Sequence, residues 1–268
     1  MAADPPVLIN GYWIYLRAMV GGLYGSSHLN PSDYQKVNAY QFRQALLTQG
    51  YDDKAIAGIL GCAQVESGIS PGAIQNVSVL PNGAEHVTDV PNSYMMQYYR
   101  PTAGGQGYGL GLLQWDRFST TWLTNDLLGY LNAQNIEWYE GDGQALRLEF
   151  EYENDSSYHF WHLNYGSAVT WEYYKQIGTN QPSWDAGECA NVWTSCWELS
   201  SLDPTGRQYR RDNANYWYEY FNEHPDPPEP PEPPEPPTEP NFHIWMLYKF
   251  RQERRGINVK TRNSIRLH

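Results

Sequence analysis

Fifteen consecutive residues, Gly58-Ile-Leu-Gly-Cys-Ala-Gln-Val-Glu-Ser-Gly-Ile-Ser-Pro-Gly72, constrain this chain more than any other stretch. From Asp53 onward Ile56, Ile59, Leu60 and Ala63 recur at i, i+3, i+4 and i+7, which predicts one buried face of a helix. Asp52 or Asp53 can cap its start, and Gly68 followed by Ser70-Pro71 marks its end. Glu66 falls on the same face, in the last turn. There the negative end of the helix dipole and the removal of water both disfavour a carboxylate, so the spacing predicts a raised pKa. A carboxylic acid that keeps its proton near neutral pH is a proton donor.

A second motif follows at Gly109-Leu-Gly-Leu-Leu-Gln-Trp-Asp116. Gly109 and Gly111 suit a backbone brought close to a ligand, Gln114 offers an acceptor and donors, and Trp115 offers a flat apolar face. Those are the requirements of a sugar ring. The run is not a dinucleotide fingerprint, because no apolar strand precedes it and the third glycine is missing.

Together these residues carry a family resemblance. The Gly58-Ile-Leu-Gly61 helix, Gln64-Val-Glu66-Ser67, Pro71-Gly72-x-x-Gln75 and Gly109-x-Gly111-Leu-x-Gln114-Trp115 follow the order found in phage tail lysozymes. The segment Gly109 to Arg117 is more distantly similar to goose-type lysozymes and lytic transglycosylases. The resemblance runs from about Tyr34 to about Phe221. It implies a mainly α, lysozyme-like two-lobed domain, α+β at most, that cleaves the β-1,4-linked glycan of peptidoglycan. It also implies a protein of the virion tail, made in the host cytoplasm, with bacterial peptidoglycan and other tail proteins as partners.

Carried over residue by residue, the resemblance makes Glu66 the general acid at the glycosidic oxygen. Gln114, Trp115 and Tyr108 become glycan contacts, with Gly109, Gly111 and Gln75 beside them. The second carboxylate stays open between Glu85, Asp89 and Asp116, and Asp116 next to Arg117 also reads as an ion pair. Relatives often carry an aromatic-Glu-Arg-Pro run late in the domain. Here Trp197-Glu198-Leu199-Ser200 lacks the Arg-Pro, which departs from the pattern around Glu198.

Charge divides the chain. Residues 241–268 hold seven Lys or Arg against Glu253 alone, a net +6, whereas residues 1–240 hold 11 against 29, a net −18. An acidic body is not steered toward an anionic wall or toward nucleic acid, so delivery by a particle would have to supply the local concentration. The 22 Tyr and 11 Trp exceed ordinary usage, which leaves rings for a saccharide groove beyond those the core needs. Trp161, Trp171, Trp184, Trp193, Trp197 and Trp217 are expected in the core.

Cys62, Cys189 and Cys196 make no disulfide framework, since Cys189 and Cys196 stand about 10 Å apart along a helix. Pairing Cys62 with His86 as a cysteine peptidase fails because Cys62 is in mid-helix, away from an activating N-terminus. The seven His show no metal-ligand spacing, and neither metal nor cofactor is expected. The start of the chain, with no basic n-region and a short apolar stretch from Val7 to Leu16, reads as neither a signal peptide nor a membrane span.

Residues 1–32 are read as an N-terminal extension and residues 33–224 as the lysozyme-like domain. A helix from about Ser32 to Gln49 with Val37, Phe42, Ala45 and Leu46 on its apolar side should support the Glu66 helix. Asn76 to Gly107 is expected to hold a short hairpin or flap, and Gln144–Glu153, Tyr165–Gln176 and Ala186–Leu199 are expected as helices. Residues 225–240 repeat Pro-Pro-Glu in a polyproline II spacer of roughly 50 Å. Residues 241–268 form a basic and aromatic tail too short for its own core, hence an interaction segment. Two classes of function result: a glycan-cleaving hydrolase or lytic transglycosylase, and an inactive structural or glycan-binding tail protein.

Overall fold

A computed structural model of the chain describes residues 6–14, 30–74, 80, 83–98, 109–115, 127–159, 169–198 and 204–228. They form β1 (Val7–Ile9), β2 (Tyr12–Ile14), α1 (Asp33–Thr48), α2 (Asp53–Ser67) and a 3-10 turn (Val87–Asp89). There follow α3 (Asn92–Tyr98), α4 (Leu127–Gln134), α5 (Gly141–His159), α6 (Trp171–Lys175), α7 (Ile177–Asn180), α8 (Ala186–Cys196) and α9 (Pro204–Glu223). The protein is mainly helical, with one antiparallel hairpin among the described residues. None of its described helices is long and apolar enough to cross a membrane.

The helix predicted from Asp53 is the centre of the fold. Asp52 caps α2, accepting from the Ala55 N–H at 2.9 Å, and also takes the Gly178 N–H at 2.6 Å. Gly68 ends the helix in the left-handed region at φ 61°. The predicted single buried face is too modest, because every residue from Ala55 to Val65 is buried. A helix apolar on all sides is covered on all sides, and α2 packs chiefly against α8 and α9.

Two glycines set those contacts. A Cβ on Gly58 would lie 2.6 Å from the Tyr174 hydroxyl and 2.9 Å from the Cys189 backbone; one on Gly61 would lie 2.5 Å from the Arg210 carbonyl. Glycine costs a helix about 1 kcal/mol relative to alanine, and here it admits two neighbouring backbones. Trp171, Trp193 and Trp217 fill the surrounding core at 1% exposure or less. Trp184 and Trp197 are partly buried against it, and Trp161 lies outside the described residues.

The α1 prediction agrees closely with the structure. Ser32 and Gln35 form a capping box, Val37, Phe42 and Leu46 are buried with Ala45 partly so, and Gly50 turns the chain at φ 84°. The helix expected from Gln144 lies inside the longer α5, and α8 begins at Ala186 as predicted. The helix expected from Tyr165 instead starts at Trp171, because the Thr170 hydroxyl accepts from the Tyr173 N–H and caps it there. Residues 165–168 lie outside the described part.

Among the described residues between Asn76 and Gly107 the chain forms the 3-10 turn and α3, not a hairpin. The hairpin is at the start of the chain, where Leu8 pairs with Trp13 across an Asn10-Gly11 turn with φ of 49° and 84°. Positive φ at both turn residues matches the right-handed twist of the strands. Tyr12 and Ile14 enter the main core, so this part of residues 1–32 packs as an integral element. Asn38 of α1 holds it: its Oδ1 accepts from the Trp13 N–H at 2.6 Å, and its Nδ2 donates to the carbonyls of Trp13 and Ile69, each at 2.8 Å. At the other end, the Tyr40 hydroxyl donates to the Pro225 carbonyl at 3.1 Å, tying the first residue of the proline-rich segment to α1. Residues 229–268 lie outside the described part.

Candidate functional site

Glu66 occupies the last turn of α2, its side chain 26% exposed between fully buried neighbours. Burial first, and then the nearby charge of Glu198, push its pKa up from the ordinary carboxylate range to about 7, against the opposing pull of Arg210. The Arg210 guanidinium comes from α9, where the residue is 2% exposed. Its Nη2 donates to Glu66 Oε1, across 144 positions of sequence.

The same guanidinium faces a second acid. Arg210 Nε stands 3.3 Å from Glu198 Oε2, just past the end of α8, and the Glu198 side chain is only 10% exposed. Burial raises the Glu198 pKa, while Arg210, a hydrogen bond from Cys62 and the charge of Arg207 lower it. Two enclosed carboxylates held against one arginine favour retention of a proton.

The glycine-rich motif is joined directly to the segment that follows Glu66. The Ser67 hydroxyl donates to the Leu112 carbonyl at 2.7 Å, the Gly111 N–H donates to the Ala73 carbonyl at 2.8 Å, and Ile74 bridges to Leu110. Gln144, fully buried on α5, fixes both. Its Oε1 accepts from the Leu112 N–H at 2.7 Å, and its Nε2 donates to the carbonyls of Pro71 at 2.8 Å and Trp138 at 2.6 Å. A Cβ at Gly111, whose φ is 74°, would lie 2.4 Å from Gln144 Oε1, and one at Gly109 would lie 2.8 Å from Gln114. The close approach that these glycines permit is therefore to the protein's own glutamines.

Gln114 has φ 52°, donates to the Gly111 carbonyl at 2.8 Å, and is half-buried. Trp115 is 8% exposed; its indole N–H donates to Glu151 at 2.8 Å, and its ring meets Trp197 edge to face. Glu151 also accepts from the Trp197 indole at 3.1 Å and pairs with Arg147 at 3.0 Å. Its buried carboxylate thereby couples the Gln114-Trp115 segment to the Trp197-Glu198 segment.

Of the other sequence candidates, Glu85 and Asp89 are exposed, and Asp89 stands 3.5 Å from His86 Nδ1. Gln75, Tyr108 and Asp116 lie outside the described residues. Cys62 is buried beside Thr194, and burial raises its thiol pKa well above the ordinary value, as befits a packed side chain without nucleophilic character. Among the described residues no three His, Cys, Asp or Glu are grouped to hold a metal ion.

Arg210 and Glu151 escaped sequence reasoning. The signal for Arg210 was present: Arg210, Ala214, Trp217 and Phe221 share one stripe of α9, and an arginine on an otherwise apolar stripe requires a buried counter-ion. Nothing local to Glu151 distinguishes it from its acidic neighbours Glu149 and Glu153.

A family model described as phage tail lysozyme matches residues 37–221, a span that includes Glu66, the glycine-rich motif, Glu198 and Arg210. The chain therefore belongs to the phage tail lysozyme family, tail-associated lysozyme-like enzymes of the cell wall.

Proposed function

We propose that this phage tail lysozyme cleaves the β-1,4 glycan strands of peptidoglycan, with Glu66 as the general acid. The observation that carries the reading is the setting of Glu66: an accessible carboxyl at the C-terminus of a buried helix, beside a second carboxylate and only one shared guanidinium, with a pKa raised to about 7. A group so poised holds its proton at neutral pH and releases it to a leaving oxygen.

In the reaction the Glu66 O–H bond breaks as its proton passes to the glycosidic oxygen. The electron pair of the C1–O bond stays with that oxygen, which departs as a hydroxyl, and positive charge develops at C1. Water or the sugar's own hydroxyl then adds to C1, and its proton returns to Glu66. Water makes the enzyme a hydrolase of muramidase type, and the sugar hydroxyl makes it a lytic transglycosylase. Asp116, next to Trp115 in sequence, is the proposed second carboxylate. Tyr108, Gln75 and Gln114 are the proposed glycan contacts, on a backbone shaped by Gly109, Gly111 and Trp115.

Net charges of −18 for residues 1–240 and +6 for residues 241–268 support delivery by the virion rather than capture from solution. The proline-rich spacer and basic tail are the proposed attachment to other tail proteins. The test incubates the full chain, wild type and Glu66→Gln, with purified peptidoglycan and identifies the products by mass spectrometry. Reducing-end muropeptides from wild type alone support hydrolysis and anhydro ends support transglycosylation. Binding without release from any wall type assigns the protein instead to a structural or glycan-binding role.

A further inference from the structure

Among the described residues, Asn10, Ile69, Gln114 and Asn135 hold a positive φ without being glycine. The two asparagines are in turns, where that residue type enters the left-handed region readily. Ile69, at 55°, and Gln114, at 52°, have no such ease, and for a β-branched residue the conformation is a true outlier. Both belong to the candidate site, Ile69 three residues after Glu66 and Gln114 within the glycine-rich motif. Strain of this kind persists only where the surroundings over-determine the backbone, and it gathers where a functional group has to be aimed.

Side-chain amides supply that constraint. After Glu66 the carbonyls of Gly68, Ile69 and Pro71 each accept from a different one: Gln35 Nε2 at 3.1 Å, Asn38 Nδ2 at 2.8 Å and Gln144 Nε2 at 2.8 Å. Gln144 also grips the second strained segment, through the Leu112 N–H at 2.7 Å, and anchors both to the Trp138 carbonyl at 2.6 Å. Its two amide donors and its acceptor are all engaged, and at 0% exposure no solvent stands in for a lost bond. The backbone bond from the Gly111 N–H to the Ala73 carbonyl runs beside this bridge.

We propose that Gln144 is a positioning residue for glycan cleavage: by holding Pro71 and Leu112 at once, it fixes the Glu66 end of α2 relative to the Gln114 segment. It acts through the backbone of the two segments and contributes no group to the reaction itself. The catalytic consequence rests on the reading of Glu66 as general acid and Gln114 as a glycan contact; the brace does not. A misplacement of about 1 Å between a proton donor and a bound sugar lowers the rate about 100-fold, and proton transfer is more sensitive to it than ground-state binding is.

The experiment uses the full chain as wild type, Gln144→Met, Gln144→Glu and Val192→Ala, with kcat and KM measured on soluble glycan fragments per folded molecule. Gln144→Met keeps the length of the side chain and loses all three bonds. Gln144→Glu keeps the shape, the acceptor for Leu112 and, when protonated, one donor, so it reads the same effect should Gln144→Met not fold. Val192→Ala truncates a fully buried side chain on α8 and is the destabilised control, with kcat unchanged. In Gln144→Met kcat falls about tenfold or more while KM moves by less than about threefold, and Gln144→Glu loses kcat in the same direction by at least about threefold. Hydrogen exchange read by mass spectrometry rises at residues 68–73 and 109–115 together, with α8 still protected. A kcat that stays within about twofold of wild type in the variants that fold, or faster exchange at only one of the two segments, overturns the proposal. A wild type that cleaves nothing refutes the general-acid reading instead, and the exchange pattern then decides by itself whether Gln144 braces the two segments.

Discussion

The indoles of Trp115 and Trp197 meet edge to face, with centroids 5.9 Å apart and planes at 89°, and both N–H groups point at the carboxylate of Glu151. Eighty-odd residues of sequence separate the two rings, yet one acceptor fixes both. Each ring belongs to a segment of the candidate site, one beside Gln114 and the other beside Glu198.

Glu151→Ala should therefore cost about 3 kcal/mol or more, because it strands two indole donors and the 7% exposed Arg147 side chain. Urea unfolding gives the stability, and near-UV circular dichroism reports the ordering of the tryptophans. A loss under about 1 kcal/mol would mean that water substitutes for the carboxylate.

Cleavage should fall as pH rises through about 7, because a general acid works only while protonated and the Glu66 pKa is raised to about 7. The limb belongs to the coupled Glu66–Glu198 pair rather than to one residue. A profile of kcat/KM against pH on soluble glycan fragments measures it. A rate that is flat from weakly acidic to alkaline pH would remove Glu66 as the acid.

The same group makes stability depend on pH. A folded-state pKa above the ordinary value of 4.5 means that the native protein binds a proton the unfolded chain releases. Its contribution is complete below about 4.5 and is lost as pH rises through about 7. Glu66→Gln lacks that loss, so it should melt close to wild type in acid and progressively higher toward about pH 8, by on the order of 2 kcal/mol. Differential scanning calorimetry across that range checks the sign, and a variant that is less stable at alkaline pH contradicts it.

Gly61→Ala should damage both the fold and the site. Its Cβ would stand 2.5 Å from the Arg210 carbonyl and 2.7 Å from Ala214 N, so α9 must move. A loss of about 2 kcal/mol should accompany a displaced Glu66 titration, because the backbone that shifts carries Arg210. Thermal melts and the Glu66 NMR signal read the two effects separately.

Asn38→Ala removes three hydrogen bonds from a side chain whose residue is 2% exposed. It leaves the Trp13 N–H and two carbonyls without that partner, at about 2–4 kcal/mol. It also frees Ile69, a β-branched residue held at φ 55° two residues after the Ser67 position's helix turn. Hydrogen exchange should show faster opening at residues 12–14 and 68–70, and unchanged protection there would refute the role given to Asn38.

Local signals were enough to delimit α1 and α2. The Asp52 cap, the Gly68 stop and the Ser32-Gln35 box each act within four residues, a range over which sequence spacing and spatial proximity coincide. The Asn10-Gly11 turn was equally local, and its apolar flanks read as a hairpin signal that composition-based reading of the terminus passed over. The position of Glu66 at a desolvated helix end was legible for the same reason.

What the sequence by itself determined was thus a central helix with a desolvated acid of raised pKa in its last turn, a glycine-rich companion motif and a mainly helical body. Tertiary structure alone decided that α2 is enclosed on every side, that Glu151 anchors two tryptophans, and that Arg210 stands between Glu66 and Glu198. The physical reason is range. Helical periodicity and caps are set by neighbours in the chain, whereas the field at Glu66 is set by a guanidinium 144 residues away, brought there by the close backbone contact that Gly61 permits.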